Sequence, residues 1–154
     1  MKSLGNLKGS LRYKYVNATP TNIKEALRDW PVGVHFAMHG YHMKADIPLK
    51  NKNVVSAFEK YSGFQKEGGD FLLFEKKDSS AVFFHEKEIE NTFSRKICEQ
   101  IDFIVITSCY SELMGKKFRE LGVSHVICIS KDHPLADEAA IIFSREFYGQ
   151  LFSN

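Results

Sequence analysis

Short apolar runs alternate along the chain with longer stretches in which apolar residues recur at helical spacing. The run from Phe103 to Thr107 is rich in β-branched residues and too short for a helix, which predicts a strand buried on both faces. Beyond Cys109 the apolar residues follow helical spacing up to Gly122, which predicts a helix that ends at a glycine. Cys109 therefore lies in a predicted turn from strand to helix.

The same alternation continues in both directions. The run from Pro31 to Gly40 predicts a strand that ends at His39, and the runs at 71–74 and 81–84 predict a β-hairpin. Further strands are predicted at 11–16 and 125–129, helices at 20–30, at 85–100 and from Pro134 onward, and an irregular connection at 41–69 with a short helix around 54–61. This order predicts an α/β fold with a mostly parallel sheet and a small β-hairpin.

Two of the helices allow more detailed predictions. Thr19 and Pro20 have the residue types of an N-cap and a first helical position, and Trp30 shares one face with the apolar residues of that helix. The final helix is predicted to bury one apolar side, formed by Ala140, Ile141, Phe143, Phe147, Leu151 and Phe152.

A histidine and a cysteine stand where two predicted strands end. If these strands are parallel neighbours, their carboxyl ends open at the same edge of the sheet, where open α/β folds keep their sites. The N-terminus of the following helix would favour a thiolate at Cys109 over a thiol. Taken alone, such a cysteine is more often a small buried packing residue, and His39-Gly40 is more often a simple turn.

Three segments carry a family resemblance. Residues 34–40 read Val-His-Phe-Ala-Met-His-Gly, residues 104–111 read Ile-Val-Ile-Thr-Ser-Cys-Tyr-Ser, and residues 121–127 read Leu-Gly-Val-Ser-His-Val-Ile. They resemble the His-Gly strand end, the nucleophile strand and the closing stretch of the CHAT peptidases, which are relatives of the caspases and separases. The resemblance covers roughly residues 17–152, and it includes Asp137, Ala139, Ala140, Phe143, Phe147 and Tyr148 near the end.

The resemblance implies a three-layer caspase-like sandwich with helices on both faces of the central sheet. It also implies a cysteine endopeptidase that forms an acyl-enzyme on a peptide or protein substrate, without a metal or an organic cofactor. Cys109 would be the nucleophile and His39 the general base and acid. The backbone N–H groups of Gly40 and Cys109 would form the oxyanion hole, and a glycine lets the backbone approach the substrate closely.

Two departures from the family pattern favour an alternative. Glu112 replaces a glycine, and a carboxylate close to a thiolate opposes its ionisation. Relatives also carry a strand and a helix before the equivalent of Leu11, so residues 1–154 are expected to form a single domain that lacks them. The resulting sheet edge would be exposed, or covered by a missing segment or a partner. The alternative is a catalytically inactive or truncated module that acts in interaction or regulation.

Substrate selection has two candidate residues. Asp46 and Asp70 lie in predicted loops that could border the site, and an acidic group in the pocket before the scissile bond would select Arg or Lys. Either aspartate fits equally a solvated residue of a turn.

Other kinds of site find little support in the sequence. His35, His39 and His42 lie close together in the sequence, as metal ligands often do. On an extended strand, however, His35 and His39 share one face about 13 Å apart, which is too far to hold one metal ion, so no metal site is predicted. A phosphate-binding loop follows a strand, whereas Gly68 and Gly69 precede one. This order disfavours a nucleotide-binding α/β domain.

Composition narrows the cellular setting. The net charge is only +2 and no long basic run occurs, which argues against a nucleic-acid partner. Three cysteines without framework spacing favour a reducing compartment, and Cys98 and Cys128 are expected to be core residues. No apolar run is long enough to span a membrane, and the first residues lack the apolar centre of a signal peptide, so a cytoplasmic protein is expected.

Overall fold

The structure is a computed structural model that describes residues 12–44, 68–76, 78 and 81–153. Asp46 and the short helix predicted around 54–61 lie outside these residues. The described strands are β1 (Gly33–Phe36), β2 (Gly40–Met43), β3 (Gly69–Glu75), β4 (Ala81–His85), β5 (Phe103–Ile106) and β6 (His125–Ile127). The described helices are α1 (Pro20–Arg28), α2 (Ile89–Thr92), α3 (Arg95–Cys98), α4 (Glu112–Glu120) and α5 (Asp137–Phe152), with a 3-10 turn at Glu86–Glu88.

The strands form two sheets of different kinds. The first sheet is parallel with the order β1-β5-β6, and the second is antiparallel with the order β2-β3-β4. The predicted α/β class and the hairpin of β3 with β4 are confirmed, and β1 and β5 are parallel neighbours, as the predicted site requires. The strands are divided equally between the two sheets, so the predicted mostly parallel arrangement holds only for the first sheet. Residues 40–43 add a third strand to that hairpin, whereas the sequence pattern places them in an irregular connection.

The central position of β5 follows from its composition. All four of its residues are buried, as expected of a parallel strand that is covered on both faces. On one side the core is closed by aromatic rings: Phe118 of α4 stacks on Phe36 at 5.9 Å between centroids and meets Phe93 edge to face at 4.9 Å. These contacts connect β1, α4 and the junction between α2 and α3.

The first helix begins as predicted and ends early. The Asn22 N–H donates to Thr19 Oγ1 at 3.1 Å, and Pro20 is the first helical residue. The helix ends at Arg28, and Trp30 follows with a φ of 52° and a ring that is 52% exposed. The predicted place of Trp30 on the apolar face of this helix is therefore wrong, because the residue lies beyond the helix end.

Residues 12–16 do not form the predicted strand. Tyr13 is 77% exposed and Tyr15 is 91% exposed, so the described part of the chain covers neither side chain. Alternation favours a strand only where one face can be buried against other elements, and none of the described elements covers a face here.

The helix predicted at 85–100 is interrupted. Its apolar residues Ile89, Phe93 and Cys98 are buried as expected, but Phe93 has an extended backbone that separates α2 from α3. Ser94 then caps α3 by accepting a hydrogen bond from the Ile97 N–H at 3.4 Å. A local side-chain cap thus competes with continuation of the helix.

The final helix begins at Asp137 instead of Pro134, and no side chain on it is fully buried. Ile141 is 67% exposed, which contradicts its predicted place on a buried side, and the other predicted core residues of this helix are at least partly exposed. The helix lies against the parallel sheet through ring contacts of Phe147 with Phe103 and of Tyr148 with His35. None of the described helices is long and apolar enough to cross a membrane.

Candidate active site

Cys109 lies in the turn that joins β5 to α4, as predicted. The strand ends at Ile106 and the helix begins at Glu112, so the turn is short. Tyr110, the residue after the cysteine, has a φ of 55°. Few residues with a side chain adopt this left-handed conformation, and it gives the turn a defined and strained geometry.

Gly40 touches this turn directly. A Cβ built on Gly40 would stand 1.8 Å from the carbonyl oxygen of Cys109 and 2.8 Å from Ser108 Oγ. Only a glycine permits this approach. The structure therefore brings the His39-Gly40 segment and the Cys109 turn together, beyond the ends of two adjacent parallel strands. The predicted strand end at His39 is wrong, because β1 ends at Phe36 and His39 lies in the connection to β2.

The backbone N–H of Gly40 is directed away from β3. Gly40 lies opposite Leu72, while the Leu73 N–H donates to the His39 carbonyl oxygen at 2.9 Å. In an antiparallel pair hydrogen-bonded and non-hydrogen-bonded positions alternate, so Gly40 occupies a non-hydrogen-bonded position. Its N–H points outward from the edge strand of this sheet, in keeping with the proposed role as an oxyanion donor.

The imidazole of His39 is exposed, and among the described residues it makes no hydrogen bond to Cys109. Catalytic hydrogen bonds commonly tighten only when a substrate binds. His39 borders an open groove of about 490 Å³, which is lined by residues 16–18, 37–39, 73–75 and Ala81.

The thiol of Cys109 contacts a residue that the sequence did not indicate. The Leu135 N–H donates to Cys109 Sγ at 3.3 Å, and the thiol donates to the Leu135 carbonyl oxygen at 3.6 Å. Leu135 belongs to the segment between β6 and α5, so the connection to the final helix lies beside Cys109.

Ser111 joins three elements at the base of the site. Its side chain is fully buried, donates to the Ile106 carbonyl oxygen at 3.4 Å and accepts from the Ile129 N–H at 2.9 Å. The end of β5, the start of α4 and the segment after β6 are thereby held in register. Ser108 is also buried, and its hydroxyl has no hydrogen-bond partner within the described residues.

The charge of Glu112 is compensated locally. Its carboxylate accepts from Lys116 Nζ at 2.6 Å and from the Lys131 N–H at 3.3 Å. The hydrogen bond from Lys116, followed by that from Lys131, lowers the pKa of Glu112. The carboxylate is thus ionised but paired with a cation, which weakens the expected opposition to a thiolate at Cys109.

Asp70 is not in a loop as the sequence pattern suggested. It lies in β3, is only 3% exposed, and its Oδ1 accepts a hydrogen bond from His42 Nδ1 at 2.7 Å. The strand begins at Gly69, whose φ of 147° is a conformation that residues with a side chain rarely adopt. Glycines usually mark loops, so Gly68 and Gly69 indicated a loop that continued to residue 69. Sequence reasoning missed this pair because it had placed β2 in a loop.

A metal site would need at least three histidine, cysteine or carboxylate ligands close together, and within the described residues no such group occurs. His35 packs in its strand, with Nε2 at 2.9 Å from Thr107 Oγ1, and burial lowers the pKa of His35.

The other two cysteines have the surroundings of core residues. Cys98 is fully buried, and burial raises the pKa of its thiol to about 11. Cys128 is partly buried against the core, and burial, with a smaller effect of the Glu112 charge, raises the pKa of Cys128. The predicted core position is confirmed for Cys98, whereas Cys128 packs against the core from a partly buried position just beyond the end of β6.

Comparisons of the chain with protein-family models, curated proteins and solved structures found no significant match.

The contact at Gly40 predicts a strongly position-dependent effect of adding a methyl group. Gly40→Ala should lower the free energy of unfolding by about 1–3 kcal/mol, because the new Cβ must displace the Cys109 backbone. Gly149→Ala is the matched control: nothing lies within 4 Å of its Cβ, and alanine in a helix should gain about 0.5–1 kcal/mol. Urea unfolding measures both values, and equal stability of Gly40→Ala and the wild type would contradict the close contact.

The buried thiol of Cys98 predicts a loss of stability in alkali. The folded-state pKa is raised from the ordinary 9.0 to about 11, so the unfolded chain releases this proton first as the pH rises. Between about pH 9 and about pH 11, Cys98 should lower the free energy of unfolding by about 1.4 kcal/mol per pH unit. Below about pH 9 it should have no effect on stability.

Urea unfolding at about pH 8 and about pH 10.5 isolates the effect of Cys98. The alkaline loss should be smaller in Cys98→Ala than in the wild type by about 1–2 kcal/mol. An equal loss in both proteins would show that the thiol does not retain its proton in the fold.

Proposed function

We propose that the chain is a caspase-like cysteine endopeptidase of the CHAT type, built as a three-layer sandwich around its parallel sheet. The observation that carries the proposal is the contact between Gly40 and the Cys109 backbone. It joins a His-Gly segment to a cysteine in a strand-to-helix turn, beside the ends of two paired parallel strands. Cysteine peptidases require a nucleophile, a base and oxyanion donors at one place.

The proposed reaction proceeds through an acyl-enzyme. His39 accepts the proton of the Cys109 thiol, and the sulfur attacks the scissile carbonyl carbon to form a C–S bond. The N–H groups of Gly40 and Cys109 hold the oxyanion. The C–N bond then breaks as His39 returns the proton to the leaving amine. In the second half, water gives a proton to His39 and cleaves the thioester, which releases the acid and regenerates the thiol.

The groove beside His39 supports a peptide substrate. Its volume is about 490 Å³, and it is lined by residues of β3 and of the segment that follows β1. Such a groove would suit an extended peptide. Selection of Arg or Lys requires an acidic residue near the scissile bond. Asp46 stays a candidate for that role, and Asp70 would reach a substrate only if His42 released its carboxylate.

A second candidate function is an inactive or regulatory module of the same family. Two observations favour it. The backbone N–H and the carbonyl oxygen of Leu135 both form hydrogen bonds with the Cys109 thiol. Within the described part of the chain, β1 also has a paired strand on only one side. A partner or a further segment at the β1 edge would then complete the sheet.

The proposal predicts that cleavage of a proteome-derived peptide library depends on Cys109 and His39. Cys109→Ala should lower the rate by a factor of about 1,000 or more, because the nucleophile is lost, and His39→Ala should lower it by a factor of about 100 or more. Mass spectrometry of the products provides the rates.

Cys128→Ala is the matched control, and it should retain the cleavage rate of the wild type. Undiminished cleavage in Cys109→Ala would exclude the proposed mechanism. A wild-type chain that cleaves no peptide, and that forms no adduct with peptidyl acyloxymethyl ketones at Cys109, would support the regulatory module instead.

A further inference from the structure

The residue that follows the nucleophile has a conformation that needs support. Tyr110 has a φ of 55°, in the left-handed region. This region disfavours a residue with a Cβ by about fivefold to thirtyfold in population. Such a conformation persists only where the surroundings hold it in place. The turn that presents Cys109 therefore depends on what contacts Tyr110.

The ring of His42 is in contact with Tyr110. The two ring centroids are 5.6 Å apart and their planes are inclined by 31°. His42 follows Gly40 by two residues in β2, so both residues face the same side of the strand. That is the side on which Gly40 meets the Cys109 carbonyl, and the ring contact therefore lies beside the nucleophile turn.

Asp70 fixes the position of His42. The two residues lie directly opposite each other in the β2–β3 ladder. Asp70 is 3% exposed, and its Oδ1 accepts from His42 Nδ1 at 2.7 Å, whereas the His42 side chain is 41% exposed. A hydrogen bond to a buried carboxylate is strong and directional. One edge of the imidazole is thus anchored in the antiparallel sheet while its ring supports Tyr110.

We propose that Asp70 and His42 are positioning residues that hold Tyr110 in its left-handed conformation and so fix the turn that presents Cys109. The inference rests on the proposed peptidase site, because it concerns how that site presents its nucleophile. Asp70 acts on the site through His42, and His42 acts through Tyr110. Neither residue transfers a proton in the reaction, and that role belongs to His39.

A matched pair of substitutions at Tyr110 separates the ring contact from the backbone strain. Tyr110→Ala removes the ring and keeps a Cβ, so the left-handed conformation loses its support. Tyr110→Gly also removes the ring, but glycine adopts this conformation without penalty. The readout is the rate at which iodoacetamide alkylates Cys109 at neutral pH, measured by mass spectrometry.

We expect Tyr110→Ala to slow this alkylation about fivefold or more and Tyr110→Gly to change it by less than about twofold. The slowing is expected because a relaxed turn moves Cys109 Sγ out of the position in which the turn and its contact with the Leu135 backbone hold it. Tyr110→Phe keeps both the ring and the strain and should react as the wild type does.

A double-mutant cycle then tests the role of His42. His42→Ala should slow the alkylation of Cys109 about fivefold or more when Tyr110 is present, and by less than about twofold when combined with Tyr110→Gly. Asp70→Ala should resemble His42→Ala, whereas Asp70→Asn keeps an acceptor for His42 Nδ1 and should restore the wild-type rate. Near-UV circular dichroism confirms that each variant is folded.

Two results would overturn the proposal. If His42→Ala slows the alkylation of Cys109 equally in the wild-type background and in the Tyr110→Gly background, His42 acts on Cys109 directly. Equal rates in Tyr110→Ala and Tyr110→Gly would mean that the left-handed conformation needs no support. Alkylation requires no peptide substrate, so these results are independent of the library cleavage that tests the peptidase proposal.

Discussion

The close approach of Gly40 to the Cys109 carbonyl is the constraint on which the rest of the site depends. With no room for a Cβ between them, the first residue of the antiparallel β2 lies directly against the turn that ends the parallel β5. The two sheets thereby meet at this point, in addition to sharing one hydrophobic core. Because β1 pairs with β5 and leads through His39 into β2, the same contact determines where the histidine stands relative to the cysteine.

Polar groups from distant parts of the chain complete this junction. Ser111 connects the end of β5 to the segment after β6, and Leu135 provides both backbone groups to the thiol. On the other side, Asp70 anchors His42 against Tyr110. Each of these contacts is made or aligned by backbone geometry, so the fold itself sets the positions of Cys109 and of the residues around it.

Local patterns were sufficient to predict β5, α4 and the turn between them, but neither β2 nor the contacts between these elements. A four-residue apolar strand, a cysteine and a helix ended by Gly122 could be predicted because each signal lies within a few residues. The bonds of Asp70 to His42 and of Leu135 to Cys109 span 28 and 26 residues and depend on strand register. The helix over 85–100 was mispredicted because the cap at Ser94, a local competitor, outweighs its apolar periodicity.

The most direct test of a primed Cys109–His39 site compares the three cysteines as nucleophiles. Iodoacetamide at about pH 7 should alkylate Cys109 at least about tenfold faster than Cys98 and Cys128, whose thiols burial keeps protonated. His39→Ala should remove most of that advantage, whereas His133→Ala, at an exposed histidine, should not. A Cys109 that reacts no faster than the two core cysteines, or that keeps its rate without His39, would contradict the account.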